Sequence, residues 1–96
     1  MIWKVEFTTK ASDQVANLSE KAKESLRLLV KDLQTSGAAP GKGWPHYGKL
    51  EGHKGDKRHC HLTRGRPTYV CCWALIDKKT KLIEIYYVGT HERAPY

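Results

Sequence analysis

Trp3, Val5 and Phe7 alternate with Lys4, Glu6 and Thr8, the period-two pattern of a strand with one buried face. The period then changes. Ser12 or Asp13 is placed to cap a short helix running to about Leu18. Ser19 can cap a longer helix, in which Ala22, Leu26, Leu29, Val30 and Leu33 recur at helical spacing, and Gly37 ends it. Lys23, Arg27 and Lys31 make a basic stripe on that helix, as expected of its wet face. Periodicity is then lost: positions 37–57 hold six of the eight glycines, together with Pro40 and Pro45. A loop of that length in a compact chain either carries function or hides an element. Trp44, Pro45 and Tyr47 are its expected anchors, and its histidines, His46 and His53, are not expected to be catalytic.

Three strands follow: Arg58 to about Arg64, Thr68 to Ile76 and Leu82 to Val88. Gly65-Arg66-Pro67 is the first turn, and Asp77 to Lys81 is a polar hairpin loop. Connections this short favour antiparallel pairing. The predicted fold class is therefore α+β: a single domain over residues 1–96, ordered β-α-α-β-β-β, with two helices packed on one face of a mainly antiparallel sheet. Cys60 and Leu62 are expected to face the helices with Val70, Cys72, Ala74 and Ile76. The other face is expected to show His59, His61, Tyr69, Cys71 and Trp73. A one-residue slip in register would exchange the faces.

Charge sharpens this outline. The net charge is +7, unevenly spread. Residues 38–66 carry seven Lys/Arg against two Asp/Glu, whereas residues 1–37 carry six against five and residues 67–96 four against three. Four of the five histidines lie in the same middle segment. Clustered positive charge points to phosphate, and the absence of a basic helix with a bulky aromatic face favours nucleic acid over a membrane surface. Three cysteines, two of them adjacent, do not make a disulfide framework. No apolar run at the start reads as a signal peptide, so a cytoplasmic protein is expected.

Within the basic segment stands Arg58-His59-Cys60-His61-Leu62. In a strand, His59 and His61 share a face. Two imidazoles side by side suit proton transfer near neutral pH. Cleaving RNA through its own 2′-hydroxyl needs such groups: a base for that proton, positive charge for the phosphoryl oxygens and an acid for the leaving 5′-oxygen. A zinc site built from His59, His61, Cys71 and His91 is the weaker reading, because no CxxC or HxxxH spacing supports it.

Three pieces of the chain resemble the RelE/ParE superfamily of bacterial toxins. They are Lys49-Leu50-Glu51-Gly52 leading into the sheet, the stretch from His59 through Gly65 to Asp77, and the tail from Tyr87 to Tyr96 with His91, Arg93 and the terminal tyrosine. The β-α-α-β-β-β order is also that of the superfamily. The resemblance implies a toxin of a type II toxin-antitoxin pair, held by a cognate antitoxin. RelE-like members cut messenger RNA on the ribosome, without metal or other cofactor; ParE-like members inhibit DNA gyrase by binding alone. The histidines favour the RelE-like branch.

By this resemblance His59 and His61 stand where nucleases of the family keep paired basic residues. Arg93 resembles the tail arginine that contacts the scissile phosphate, and Tyr96 the tyrosine that stacks on a base or assists proton transfer. Lys49, Lys57, Arg58, Arg64, Arg66, His91 and Trp73 are the expected RNA and phosphate contacts. The chain departs from the family in one respect: the central strand, from Thr68 to Trp73, lacks the usual arginine, so Arg64 or Arg66 is the candidate replacement.

Overall fold

The computed structural model of the chain describes residues 2–41 and 43–96; Met1 and Lys42 lie outside the described residues. Strand β1 (Lys4–Phe7) leads into helices α1 (Thr9–Val15) and α2 (Glu20–Ser36). Strands β2 (Gly48–Lys49), β3 (Asp56–His61), β4 (Tyr69–Asp77) and β5 (Leu82–Thr90) follow, and a 3-10 turn over His91–Arg93 begins the tail. The sheet order is β1-β5-β4-β3-β2, with β1 parallel to β5 and the other pairs antiparallel.

Helix boundaries follow the caps. The Thr8 hydroxyl accepts from the Ala11 N–H at 3.0 Å and starts α1 earlier than Ser12 or Asp13 would. Ser19 caps α2 as its sequence implies, accepting from the Ala22 N–H at 3.2 Å. Gly37 closes α2 with φ +83° and donates its N–H to the Leu33 carbonyl. A Cβ at Gly37 would stand 2.9 Å from the Trp3 ring, so both the backbone and the packing require glycine there. The glycine-rich loop hides one element, the two-residue edge strand β2, which pairs with β3.

Leu26, Leu29 and Leu33 of α2 and Ala11 of α1 pack on Cys60, Cys71, Trp73, Ile83 and Ile85 of the sheet to form the main core. Here the structure corrects the expected faces of β4. Cys60 lies opposite Cys71, His59 opposite Cys72 and His61 opposite Val70. Cys71, Trp73 and Tyr69 therefore join Cys60 and Leu62 on the helix side, while Val70 and Cys72 lie with the histidines. Ile76 is half exposed and sits at a register break. The ambiguity arose because the outer face is covered too. Tyr86, Tyr87 and Ala94 pack there on Val70 and Cys72, so β4 is apolar on both sides.

A bulge completes the arrangement. Cys72 pairs with Tyr87 and Trp73 with Ile85, leaving Tyr86 as the extra residue. The break shifts the phase of β5, so that Ile83, Ile85 and Val88 all reach the main core although their spacing is uneven.

Replacing Gly37 by alanine puts a side chain into a backbone region that only glycine tolerates well. The expected cost is about 1–3 kcal/mol, read as a fall in Tm of several degrees in thermal unfolding; an unchanged Tm would refute the close approach to Trp3.

Candidate active site

The outer face gathers the histidines. β3 supplies His59 and His61 over a floor of Cys72 and Val70, the residues opposite them. The glycine-rich loop supplies His46. Arg58 holds this loop from the other face of β3: its guanidinium grips Asp56 through two bonds of 2.8 Å and donates to the Tyr47 hydroxyl at 2.8 Å. Tyr47 stacks on the buried Trp73. The Trp73 indole N–H donates to the Ala38 carbonyl, and that of Trp44 to Asp32. Thus clamped, the loop passes the end of β3, where the His61 N–H donates to the Pro45 carbonyl at 2.8 Å. His46 follows with φ +57°, a left-handed conformation uncommon outside glycine. Its ring stacks on His61, with centroids 4.1 Å apart and planes 27° apart.

The tail closes the group. The His91 N–H donates to the Thr68 carbonyl at 2.8 Å, which ties the tail to the turn between β3 and β4. Ala94 then packs on the outer apolar patch. His91 stands edge-on to His61, with centroids 5.3 Å apart. The Tyr96 ring lies 5.5 Å from His91 and 4.9 Å from His59. Four histidines and one tyrosine, from three separated segments, thus form a chain of ring contacts. His61 and His91 also line an open hollow of about 520 Å³ with Arg66, Thr68 and Glu92.

The environment sets the protonation of these rings. Burial holds His59 below the ordinary imidazole value, and nearby His46 and His91 push the same way. His61 is lowered by burial first, then by His46, His91 and His59. Both are therefore mainly neutral at neutral pH. The His59 Nδ1 is buried without a hydrogen-bond partner among the described residues. Burial pushes the Tyr96 phenol up to about 12, so it stays protonated.

The other residues singled out from sequence divide. Lys57 lies on the histidine face with its Nζ 5.1 Å from the centre of the Tyr86 ring, and Arg66 reaches the hollow. Three are placed elsewhere. Trp73 is fully buried in the main core and offers no face to a base. Arg58 is spent on Asp56 and Tyr47 across the sheet. Arg93 lines a separate cleft against α1. Lys49 is opposite Arg58 and so shares its face, while Arg64 is exposed in the turn. Cys71 points into the helix-side core, away from the histidines, so the mixed zinc set is not assembled. Burial raises its thiol well above the usual range, as it raises those of Cys60 and Cys72 to about 12. His46 was missed because nothing in the loop's sequence marks its crossing to β3; the Trp44-Pro45 anchor just before it was the available signal.

Two helices on one face of a five-stranded, mostly antiparallel sheet in this order make up the fold of the RelE-like toxins. Among solved structures the chain is similar to the archaeal RelE of a RelE–RelB complex from Pyrococcus horikoshii, with a TM-score of 0.75 and 19% identity over 98% of this chain and 100% of that one. It is also similar to a mutant of the Escherichia coli toxin RelE in the free state, with a TM-score of 0.72 and 19% identity over 98% and 88% of the two chains. The Staphylococcus aureus YoeB dimer gives a TM-score of 0.71 at 15% identity, over 95% and 99%. No protein-family model matches the sequence, and no curated protein matches it.

The histidines also predict how stability depends on pH. His59 and His61 have folded values below 6.5, so between those values and 6.5 the unfolded chain binds more protons than the folded one. Stability is then complete above 6.5 and declines as the pH falls through the folded values. Tm should drop on acidification below 6.5, and His61→Asn should make that drop shallower; an equal slope in the variant would contradict the shift.

Proposed function

We propose that the chain is the toxin of a type II toxin-antitoxin pair and a ribosome-dependent endoribonuclease that cuts messenger RNA in the bacterial cytoplasm. The observation that carries this reading is the ring cluster of His46, His59, His61, His91 and Tyr96, set beside Arg66 on a RelE-like fold. The similar archaeal structure, a RelE–RelB complex, supports a cognate antitoxin as partner. No step needs a metal or a small-molecule cofactor.

In this reading the scissile phosphate enters the hollow between His61 and His91. Neutral His61 takes the proton of the 2′-hydroxyl, whose oxygen attacks the adjacent phosphorus in line. Arg66 neutralises charge on the phosphoryl oxygens; its planar, permanently charged guanidinium suits that role. His91 gives a proton to the departing 5′-oxygen as the P–O bond breaks. The products are a 2′,3′-cyclic phosphate and a 5′-hydroxyl end. His59, less open than His61, supports Tyr96, whose protonated phenol donates a hydrogen bond or stacks on a base. His46 stacks on His61 and fixes its ring plane. This refines the expectation from sequence: the acid–base pair is His61 with His91, and His59 stands behind them.

Primer extension on messenger RNA in a translating extract given the purified protein tests the proposal. New 5′ ends inside ribosome-occupied codons are expected. His61→Ala should lower cleavage by about 10²–10⁴-fold while the fold persists. Intact message, with altered DNA topology instead, would point to gyrase inhibition and overturn the nuclease reading.

Cleavage should also weaken as the pH falls through the depressed value of His61, because the base is then protonated. A rate that rises on acidification through that range would assign His61 the acid's role instead.

A further inference from the structure

The tail places His91 and Glu92 on the hollow but turns Arg93 into a different concavity, of about 590 Å³, between α1 and the end of β5. Lys10 of α1 lines that cleft with Arg93, and no carboxylate does. Among the described residues neither cation is held in an ion pair. The remaining polar lining is built to donate. Gln14 accepts the Val88 N–H through its Oε1 at 3.1 Å, which leaves its amide NH2 free to donate, and Asn17 offers a second amide.

The cleft and the hollow share a wall. Thr68 lines the hollow and Tyr69 the cleft; Glu92 lines the hollow and Arg93 the cleft. Two pairs of neighbouring residues thus put one member on each side, so the two concavities adjoin. A concave, acid-free surface with two unpaired cations suits a phosphodiester, and side-chain amides suit base edges.

We propose that this cleft is a second subsite for single-stranded RNA, in which Lys10 and Arg93 hold a phosphate outside the scissile position. The inference rests on the nuclease reading and deepens it. Arg93 becomes a binding residue for a flanking nucleotide, and Arg66 remains the cation at the reacting phosphate.

The test uses the purified protein and a fluorescent single-stranded oligoribonucleotide, 2′-O-methylated so that it binds but cannot be cut. Anisotropy titrations at several salt concentrations give Kd and its salt slope. Lys10→Ala and Arg93→Ala should each weaken binding by about 3–10-fold and reduce the salt slope by about 0.7, the value for one single-strand phosphate contact. Arg93→Lys should restore part of the loss, and Tm should stay at the wild-type value. With cleavable message, the loss in Arg93→Ala should fall on KM more than on kcat. Unchanged Kd and salt slope in the Lys10→Ala/Arg93→Ala double variant would overturn the proposal, as would a wild-type protein that does not bind the oligonucleotide. The two readings fail separately. A wild-type protein that cuts message while the double variant binds like wild type loses only the cleft. One that binds through Lys10 and Arg93 but never cuts loses only the nuclease assignment.

Discussion

The register between β3 and β4 decides what each face of the sheet can do, because side chains directly opposite one another share a face. With Cys60 across from Cys71, the small thiols and Trp73 are carried under the helices, and His59 and His61 are left on the other side over Val70 and Cys72. A slip of one residue in β3 would turn the two imidazoles toward the helix-side core and carry Cys60 to the other face. The helix-side core enforces the observed choice: it has room for Trp73, whose indole N–H is satisfied by the Ala38 carbonyl. The fully buried tryptophan therefore acts on the site through register, without touching it.

Given that register, the candidate site depends on two irregular segments delivered to a regular strand. The loop is fixed by Arg58, Asp56, Tyr47 and Trp44, mostly on the helix side, and only its Pro45-His46 portion crosses to β3. The tail is fixed by the hydrogen bond from His91 to Thr68 and by Ala94 on the outer patch. The rings meet where the segments converge. Burial and mutual proximity disfavour the charged imidazoles, which keeps the pair on β3 neutral to a lower pH than free histidine, although each ring is a weaker base for it. The same crowding links protonation of the site to the stability of the fold.

Much of the fold was legible in the sequence because local signals were strong there. The period of Trp3, Val5 and Phe7, the Ser19 cap and Gly37 stop of α2, and the polar Asp77–Lys81 loop each have a local physical cause. The faces of β4 were not legible: an apolar run between two covered faces carries no alternation to read. The site was legible in part. His59 and His61 could be placed together by spacing alone. The contribution of His46 depends on a loop with no periodicity, and that of Arg66, as against Arg58 or Arg93, on which way a side chain leaves the backbone. Arg58 shows this most clearly. One position from His59 in the chain, it lies on the opposite face and serves the loop.

After burial, the neighbouring His46, His91 and His59 hold the His61 imidazole below its ordinary value. Nitrogen-15 NMR titration of the labelled imidazoles measures this directly, in the wild type and in His46→Ala. His59 and His61 should titrate below 6.5, and removing His46 should move the His61 midpoint upward. Independent titration of both rings near 6.5, with no response of His61 to the loss of His46, would contradict it.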